Sequence, residues 1–580
     1  MEDRGPDPGS LESHLAYQPR ELRFGTSGRR GEVEHLTQLE IYINASAELA
    51  YLQTLPASLG GIASGQEIYF ACDLRPSSTA YVAEQGGRGE IAQAIERAIR
   101  DAGMRPVYLG RIPTPALTSF ALSRQRGSMM ITGSHIPFDR NGYKANTSRG
   151  ELLKEHEQPI GDVVLQVRKR LYAEPYAASI FNEHGLFKTG HAGLPAEMTT
   201  AREEYVARYT QFFDGLSLKG MRLLVYQHSA VGRDLLVEIL RRLGAEVIPA
   251  GRSETFVPID TENIDEAQLA LIQRLADEVT AIHGCLTAVV STDGDSDRPL
   301  VLGVAPRTGQ VHFFGGDLLG MVAAEYLGAD AVVVPISCND GIDRGRLAAA
   351  LEPKTRIGSP YVIAGMAAAR GKGRQAICGW EANGGFLTGS DIQRRGKTLH
   401  ALPTRDAVLP MLCALFSAQE SGVSLTELFS RLPGRFSRAA LLKQFPRPVS
   451  LKIMARFSPG DPRVQDVLFQ RGEIIVLDKD NRRLQVPDVE SSRIEAIRSE
   501  LASFFTPSLG FASIARLNYT DGVRVVFDNA DVAHMRPSGN ADELRIYTVA
   551  DTQARAEQIA NLGVATPGGI LRSMESAVER

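Results

Sequence analysis

The chain has 580 residues, 43 % of them hydrophobic, and a net charge of −4 from 64 basic and 68 acidic side chains. At roughly 100–200 residues per domain, that length predicts three or four domains. The near-balance of charge excludes a globally basic nucleic-acid binder, so a small anionic substrate needs a local positive site.

Taken in chain order, the first 20 residues are acidic and rich in Pro and Gly, with no apolar h-region of a signal peptide, and are expected as a flexible tail. No apolar run approaches ~18 residues, so no membrane span is expected. The five cysteines form no CxxC pair, which argues against structural zinc or a disulfide framework and for a reducing, cytoplasmic setting.

Arg23-Phe-Gly-Thr-Ser-Gly-Arg-Arg-Gly31 is a Gly-rich strand–turn whose arginines could clamp a phosphate, although it is not a P-loop. A repeated unit then begins. A strand over Glu67–Cys72 leads to a helix over Glu90–Ala102, Gly103 and a strand over Pro106–Leu109. The second copy is Arg222–Tyr226, helix Asp234–Leu243, Gly244 and strand Glu246–Pro249; the third is helix Asp317–Leu327, Gly328 and strand Ala331–Ile336. Glycine at a helix C-cap followed by a β-branched run signals a buried parallel strand. The copies lie too far apart for a solenoid, so they predict three related α/β domains with mostly parallel mixed sheets. After about Pro433 the pattern changes to an α+β domain. The expected boundaries are a tail over 1–20 and domains over 21–205, 206–312, 313–433 and 434–580. The polar stretch 147–204 is expected as helices and loops trailing the first domain.

Four further segments could carry chemistry. In Gly127-Ser-Met-Met-Ile-Thr-Gly-Ser-His-Ile-Pro137, a strand ends in a turn that presents Ser134 beside His135, with Lys144 ten residues on. Such a serine could be a nucleophile or phosphate carrier; a plain polar turn is the alternative. In Leu286-Thr-Ala-Val-Val-Ser-Thr-Asp-Gly-Asp-Ser-Asp-Arg298, a buried strand runs into Asp293, Asp295 and Asp297, which repel one another unless a cation sits among them. Oxygen ligands select a hard ion such as Mg2+, and the spacing is not that of an EF-hand. Gly379-Trp-Glu-Ala-Asn-Gly-Gly-Phe386 offers Glu381 and Asn383 to sugar hydroxyls. Met535-Arg-Pro-Ser-Gly-Asn-Ala-Asp-Glu-Leu-Arg-Ile-Tyr547 offers Arg536, Ser538, the amides around Gly539 and Asn540, and Arg545 to one phosphate.

These segments, in this order, resemble the motifs of the α-D-phosphohexomutase family over about Phe24 to Tyr547. FGTSGRRG, ITGSHIP, DGDSDR, GWEANGG and RPSGNADELR are similar to its N-terminal, phosphoserine, metal, sugar and phosphate loops. The resemblance implies four domains around a central cleft and a phosphorylated serine, Ser134, holding Mg2+ together with Asp293, Asp295 and Asp297. It implies proton transfer assisted by Lys144, phosphoryl contacts from Arg30 and Arg298, and substrate contact from Thr355. It further implies sugar phosphates as partners, a hexose 1,6-bisphosphate as intermediate and activator, and a monomer or homodimer. Gly133 and Gly385 depart from the family's more usual alanine and histidine. A mannose-phosphate mutase is the leading expectation. A glucose-phosphate mutase, a glucosamine-phosphate mutase, a non-catalytic sugar-phosphate sensor and a metal-dependent phosphatase are the alternatives.

Overall fold

The computed structural model describes residues 7–262, 264–470, 472–538 and 542–579. Each predicted helix–Gly–strand unit is present. Strand Glu67–Cys72 is followed by helix Ile91–Asp101 and strand Arg105–Arg111; strand Arg222–His228 by helix Arg233–Arg242 and strand Glu246–Arg252. Helix Gly316–Leu327 leads to strand Ala331–Val333. This last strand ends at Val333, short of the expected Ile336, but the chain stays extended beyond it and pairs around Pro335 with Thr355, whose amide donates to the Val334 carbonyl at 3.0 Å and whose carbonyl accepts from the Ile336 amide at 2.9 Å. Gly103, Gly244 and Gly328 have φ of 74°, 93° and 70°, the left-handed turn that ends each helix.

The three sheets share one plan. In the first, Glu67–Cys72 pairs in parallel with Arg105–Arg111 and Ser128–Ile131, and the latter turns back antiparallel as Arg140–Thr147, which pairs with Arg29–Glu32. In the second, Arg222–His228 pairs in parallel with Glu246–Arg252 and Ala288–Thr292, which turns back as Pro299–Val304. In the third, Ala331–Val333 pairs in parallel with Ile377–Trp380, which turns back as Phe386–Thr388, itself antiparallel to Leu402–Asp406. Parallel pairing is therefore confined to the crossover-connected strands and does not dominate each sheet as expected. The turn from parallel strand to antiparallel return is where the Ser134, Asp293–Asp297 and Glu381–Asn383 loops fall.

The fourth sheet has seven antiparallel strands from Phe436–Lys443 to Glu543–Ala550, covered by helices that include Asp488–Phe504 and Gln553–Val564. One core cluster joins the first three sheets, taking Tyr69, Ala71 and Met130 from the first; a separate cluster lies on the other face of the first sheet, and the fourth sheet has its own. No helix among the described residues is long and apolar enough to cross a membrane.

Two stretches expected as loose or peripheral are docked. Residues 1–6 lie outside the described chain, but residues 7–20 pack on the first unit instead of forming a tail. Leu11 is fully buried, and the Leu11 and Ala16 amides donate to the Glu174 and Glu183 carbonyls at 2.8 Å. One apolar anchor thus overrides the polar composition. Within 147–204, helix Glu157–Tyr172 buries Ile160, Val164, Val167 and Leu171 on the first core. Helix Thr200–Phe212 follows, and its Tyr205 and Tyr209 hydroxyls both donate to the buried Asp406, the former at 2.8 Å. Burial pushes the Asp406 carboxyl up, so these donors hold it in the interior. Replacing both tyrosines by phenylalanine is predicted to lower stability by about 2–4 kcal/mol in urea unfolding. A change below about 0.5 kcal/mol would show that the pair does not hold Asp406.

Candidate functional site

The buried strand Ser128–Ile131 delivers the chain to Thr132, Gly133 and Ser134. Ser134 has φ 54°, a left-handed conformation costing about 1–2 kcal/mol outside glycine. Its neighbours hold it there. The Ser134 amide donates to Thr132 Oγ1 at 2.7 Å, and Thr132 Oγ1 donates to Asp73 Oδ2 at 2.8 Å. Asp73 is paired with Arg75 at 2.7 Å, both side chains fully buried. The Arg75 guanidinium donates twice to the Ser134 carbonyl, at 3.1 Å each, and once to that of Ile136. It also stacks 3.8 Å from the Phe256 ring centroid. A Cβ on Gly133 would lie 2.6 Å from Arg75 Cζ, so the glycine at this position makes room for that arginine.

Ser134 Oγ donates to Asp293 Oδ2 at 2.8 Å, joining the first and second units. Ligand atoms of Asp293, Asp295 and Asp297 all lie within 4.8 Å of one another and are fully buried. Burial, then repulsion from Asp295 and Asp297, pushes the Asp293 carboxyl well up. Burial opposes ionisation of Asp295 too, but Lys144 outweighs it and holds this carboxyl well below the usual range. Lys144 Nζ is 2.8 Å from both Asp295 Oδ2 and Asp297 Oδ2, and Thr114 Oγ1 donates to Asp295 Oδ2 at 2.6 Å. Asp297 is held low, against its burial, chiefly by Arg405. The Oδ1 atoms of Asp295 and Asp297 are buried and accept no hydrogen bond among the described residues.

Cations ring this cluster. Arg298 Nε lies 3.8 Å from Asp293 and 3.7 Å from Asp297, and its Nη1 donates to His135 Nδ1 at 2.9 Å. Burial, then Arg298, Arg545 and Arg30, hold His135 well below its ordinary value, so the imidazole is neutral at pH 7. Arg29 and Arg30 point apart, as strand neighbours must. Arg29 enters the core on Glu48 at 2.6 Å, whereas Arg30 faces Asp295 and is pushed down to about 10 by burial.

The third loop joins through Arg405, whose Nη1 donates to Glu381 Oε1 at 3.0 Å and whose Nε donates to Asp297 Oδ2 at 3.0 Å. Asn383 Oδ1 accepts from the Gly385 amide at 2.9 Å, so its amide oxygen shapes the turn. Thr261 Oγ1 donates to the Asn383 carbonyl at 2.8 Å and draws the loop bearing Glu262 against the third unit. Burial, then Asp260, pushes the Glu262 carboxyl up to about 7, against the pull of Arg545 and Arg298. In the fourth unit, Arg536 pairs with Asp521 at 3.1 Å and Arg545 with Glu543 at 3.2 Å; the Ser538 amide donates to the Glu543 carbonyl. Gly539 and Asn540 lie outside the described residues. Thr355 Oγ1 donates to the Arg356 carbonyl, and its loop meets the fourth unit through the Ile357 amide on Asp521.

The structure thus brings Ser134, His135, Lys144, the three aspartates, Arg298, Arg30 and Glu381 into one charged cluster, with Arg545 close by. Sequence reasoning missed Asp73, Arg75, Phe256, Glu262 and Arg405. Asp73 and Arg75 carried a usable signal, since charged residues just past the carboxyl end of a parallel strand mark a site edge. The other three carried none. Gly133→Ala is predicted to push Arg75 off the Ser134 loop and lower turnover by about 10²-fold or more, the scale of a misplaced reacting group. Unchanged turnover would show that the Arg75 contact does not set Ser134.

The phosphoglucomutase/phosphomannomutase α/β/α domains I, II and III match residues 21–170, 203–304 and 315–436, and the C-terminal domain of that family matches residues 478–562. A phosphomannomutase from Salmonella muenchen is 35 % identical over 537 residues, covering 92 % of this chain and 93 % of that one. A phosphomannomutase from Sinorhizobium fredii is 34 % identical over 547 residues, covering 94 % and 98 %. The crystal structure of a phosphoglucomutase/phosphomannomutase family protein from Burkholderia thailandensis shares the fold at TM-score 0.61 and 16 % identity, covering 97 % and 98 %. With all four of its domains matched in order and the phosphoserine-type and acidic loops in hydrogen-bond contact, the chain belongs to the phosphoglucomutase/phosphomannomutase family.

Proposed function

We propose that the protein is a phosphohexomutase interconverting hexose 1-phosphate and hexose 6-phosphate through a phosphoserine at Ser134, with mannose phosphates as its substrates. The observation that carries this reading is the 2.8 Å contact of Ser134 Oγ with Asp293, in a buried cluster whose charges suit a phosphoryl group. The likeness to two proteins named phosphomannomutase supports mannose over glucose.

The donor set fits a divalent cation. It is built of oxygen alone, and two of its buried carboxylate oxygens carry no hydrogen bond. Asp293, Asp295 and Asp297, with the Ser134 phosphate, would hold Mg2+, which supplies charge neutralisation for the transferring group. The chain's own residues do the rest. In the first transfer the P–Oγ bond at Ser134 breaks and a bond forms to one sugar hydroxyl; the proton this hydroxyl loses is matched by one gained at the departing Ser134 Oγ through the network of Lys144 and the aspartates. The resulting bisphosphate reverses its orientation and returns its other phosphoryl group to Ser134 Oγ. Arg298 and Arg30 face the charge on the transferring group. Arg536, Ser538, Gly539, Asn540 and Arg545 would hold the phosphate that is not reacting. Glu381, Asn383 and Thr355 would contact the sugar.

Ser134→Ala is predicted to lower kcat by on the order of 10³ or more, since the covalent carrier is lost. Intact mass should show one phosphate on the wild type that the variant lacks, and chelation should abolish turnover until magnesium is restored. A fully active Ser134→Ala protein would exclude the mechanism, and release of free phosphate in place of isomerised sugar would indicate a phosphatase.

The two transfers also limit sugar selectivity. A half-turn of the hexose roughly exchanges its 3- and 4-hydroxyls but moves the 2-position, where mannose and glucose differ. A group not hydrogen-bonded in both poses is discriminated by only about 10²-fold. Mannose and glucose 1-phosphates should therefore both turn over, with kcat/KM within about two orders of magnitude. A measured preference above about 10⁴ would show that the 2-hydroxyl is read directly.

A further inference from the structure

Arg405 lies on strand Leu402–Asp406, which pairs with Phe386–Thr388 just after the Glu381–Gly385 turn. It is 3 % exposed, and its guanidinium divides between two loops. Nε and Nη2 reach Asp297 Oδ2 at 3.0 and 2.9 Å, and Nη1 reaches Glu381 Oε1 at 3.0 Å. One rigid, planar cation therefore ties the acidic loop of the second unit to the sugar-type loop of the third. The chain makes room for it at Gly385, where a Cβ would lie 2.4 Å from Arg405 Cδ and 2.6 Å from Cγ. The glycine at 385 and the arginine at 405 are thus one structural choice. Any larger residue at 385 would displace the arginine from both carboxylates.

The two contacts have opposite consequences. Toward Glu381 the guanidinium fixes one oxygen, and Oε2 carries no hydrogen bond among the described residues, so the carboxylate is set in one orientation with an acceptor to spare. Toward Asp297 it adds positive charge beside the buried oxygens suited to a cation. It thereby lowers their attraction for any further positive charge. A lysine would keep the charge but could not fork to both partners.

We propose that Arg405 is a positioning residue that aligns Glu381 for the sugar while holding down the affinity of the Asp293–Asp297 loop for a divalent cation. The inference rests on the mutase reading for the identity of the sugar ligand, but not for the metal. It does not depend on Arg405 touching substrate.

The test is calorimetric titration with magnesium and, separately, with mannose 1-phosphate. It uses the dephosphorylated enzyme, in which Ser134 is present and there is no phosphoryl group to transfer, with Arg405 intact, Arg405→Met and Arg405→Lys. In Arg405→Met, magnesium binding should tighten by roughly three- to tenfold as a neighbouring cation is removed. Sugar-phosphate binding should weaken by about tenfold or more as Glu381 loses its orienting partner. In Arg405→Lys, magnesium affinity should stay within about twofold while sugar-phosphate binding still weakens, because charge persists and the fork does not. A general loosening of the site would weaken both ligands together in both variants. That result, or no change in either ligand, would overturn the proposal. If Arg405→Met does not fold, the lysine variant decides by the same split. Absence of sugar-phosphate binding with Arg405 intact would count against the mutase reading, while the magnesium titrations would still decide the role of Arg405 at the acidic loop.

Discussion

Three carboxylates buried within 4.8 Å of one another are the constraint around which this molecule is arranged. In a low-dielectric interior they cannot all ionise unless cations face them. Among the described residues of the second unit, which supplies the aspartates, Arg298 is the cation that faces them. Lys144 comes from the first unit and Arg405 from the third. The acidic loop is therefore satisfied only when the three sheets, which share one core cluster, meet around it. The electrostatics of the site and the assembly of the units are the same problem, and a phosphoryl-transfer centre inherits a charge frame that is rigid before any ligand arrives.

The frame is built twice by the same device, an arginine laid against a glycine. Arg75 over Gly133 supports the backbone of the serine loop, and Arg405 over Gly385 supports the carboxylate of the sugar-type loop. In both cases the missing side chain is what lets a guanidinium approach, and the guanidinium then replaces by hydrogen bonds the stiffness that glycine gives up. Phe256 extends the first pair. Its ring lies on Arg75 and against the position of Gly294, so an apolar wedge sets the spacing between serine loop and acidic loop.

How much of this could be read from the sequence follows from which interactions are local. The helix–Gly–strand units were legible because capping and hydrophobic period are properties of contiguous residues. DGDSDR was legible because mutual repulsion at short spacing has few innocent explanations. Arg405 was not, since Leu402-Pro-Thr-Arg-Asp406 looks like a polar edge until its partners at 297 and 381 are known. Asn383 reads as a sugar contact by residue type, yet its amide oxygen caps its own turn. The docked segment over residues 7–20 escaped for a similar reason: its composition is that of a loose end, and one leucine decides otherwise.

The strand Leu402–Asp406 carries a further consequence. Neighbouring strand residues face opposite sides, so Arg405 turns to the acidic loop while Asp406 turns to Tyr205 and Tyr209. According to its direction, a slip of one residue would place Asp406 among three aspartates, or Arg405 against the two phenols that now donate to a carboxylate. A slip in either direction thus puts the wrong charge on one face of the strand. The same two residues that equip the site also proofread the register of the sheet that bears it.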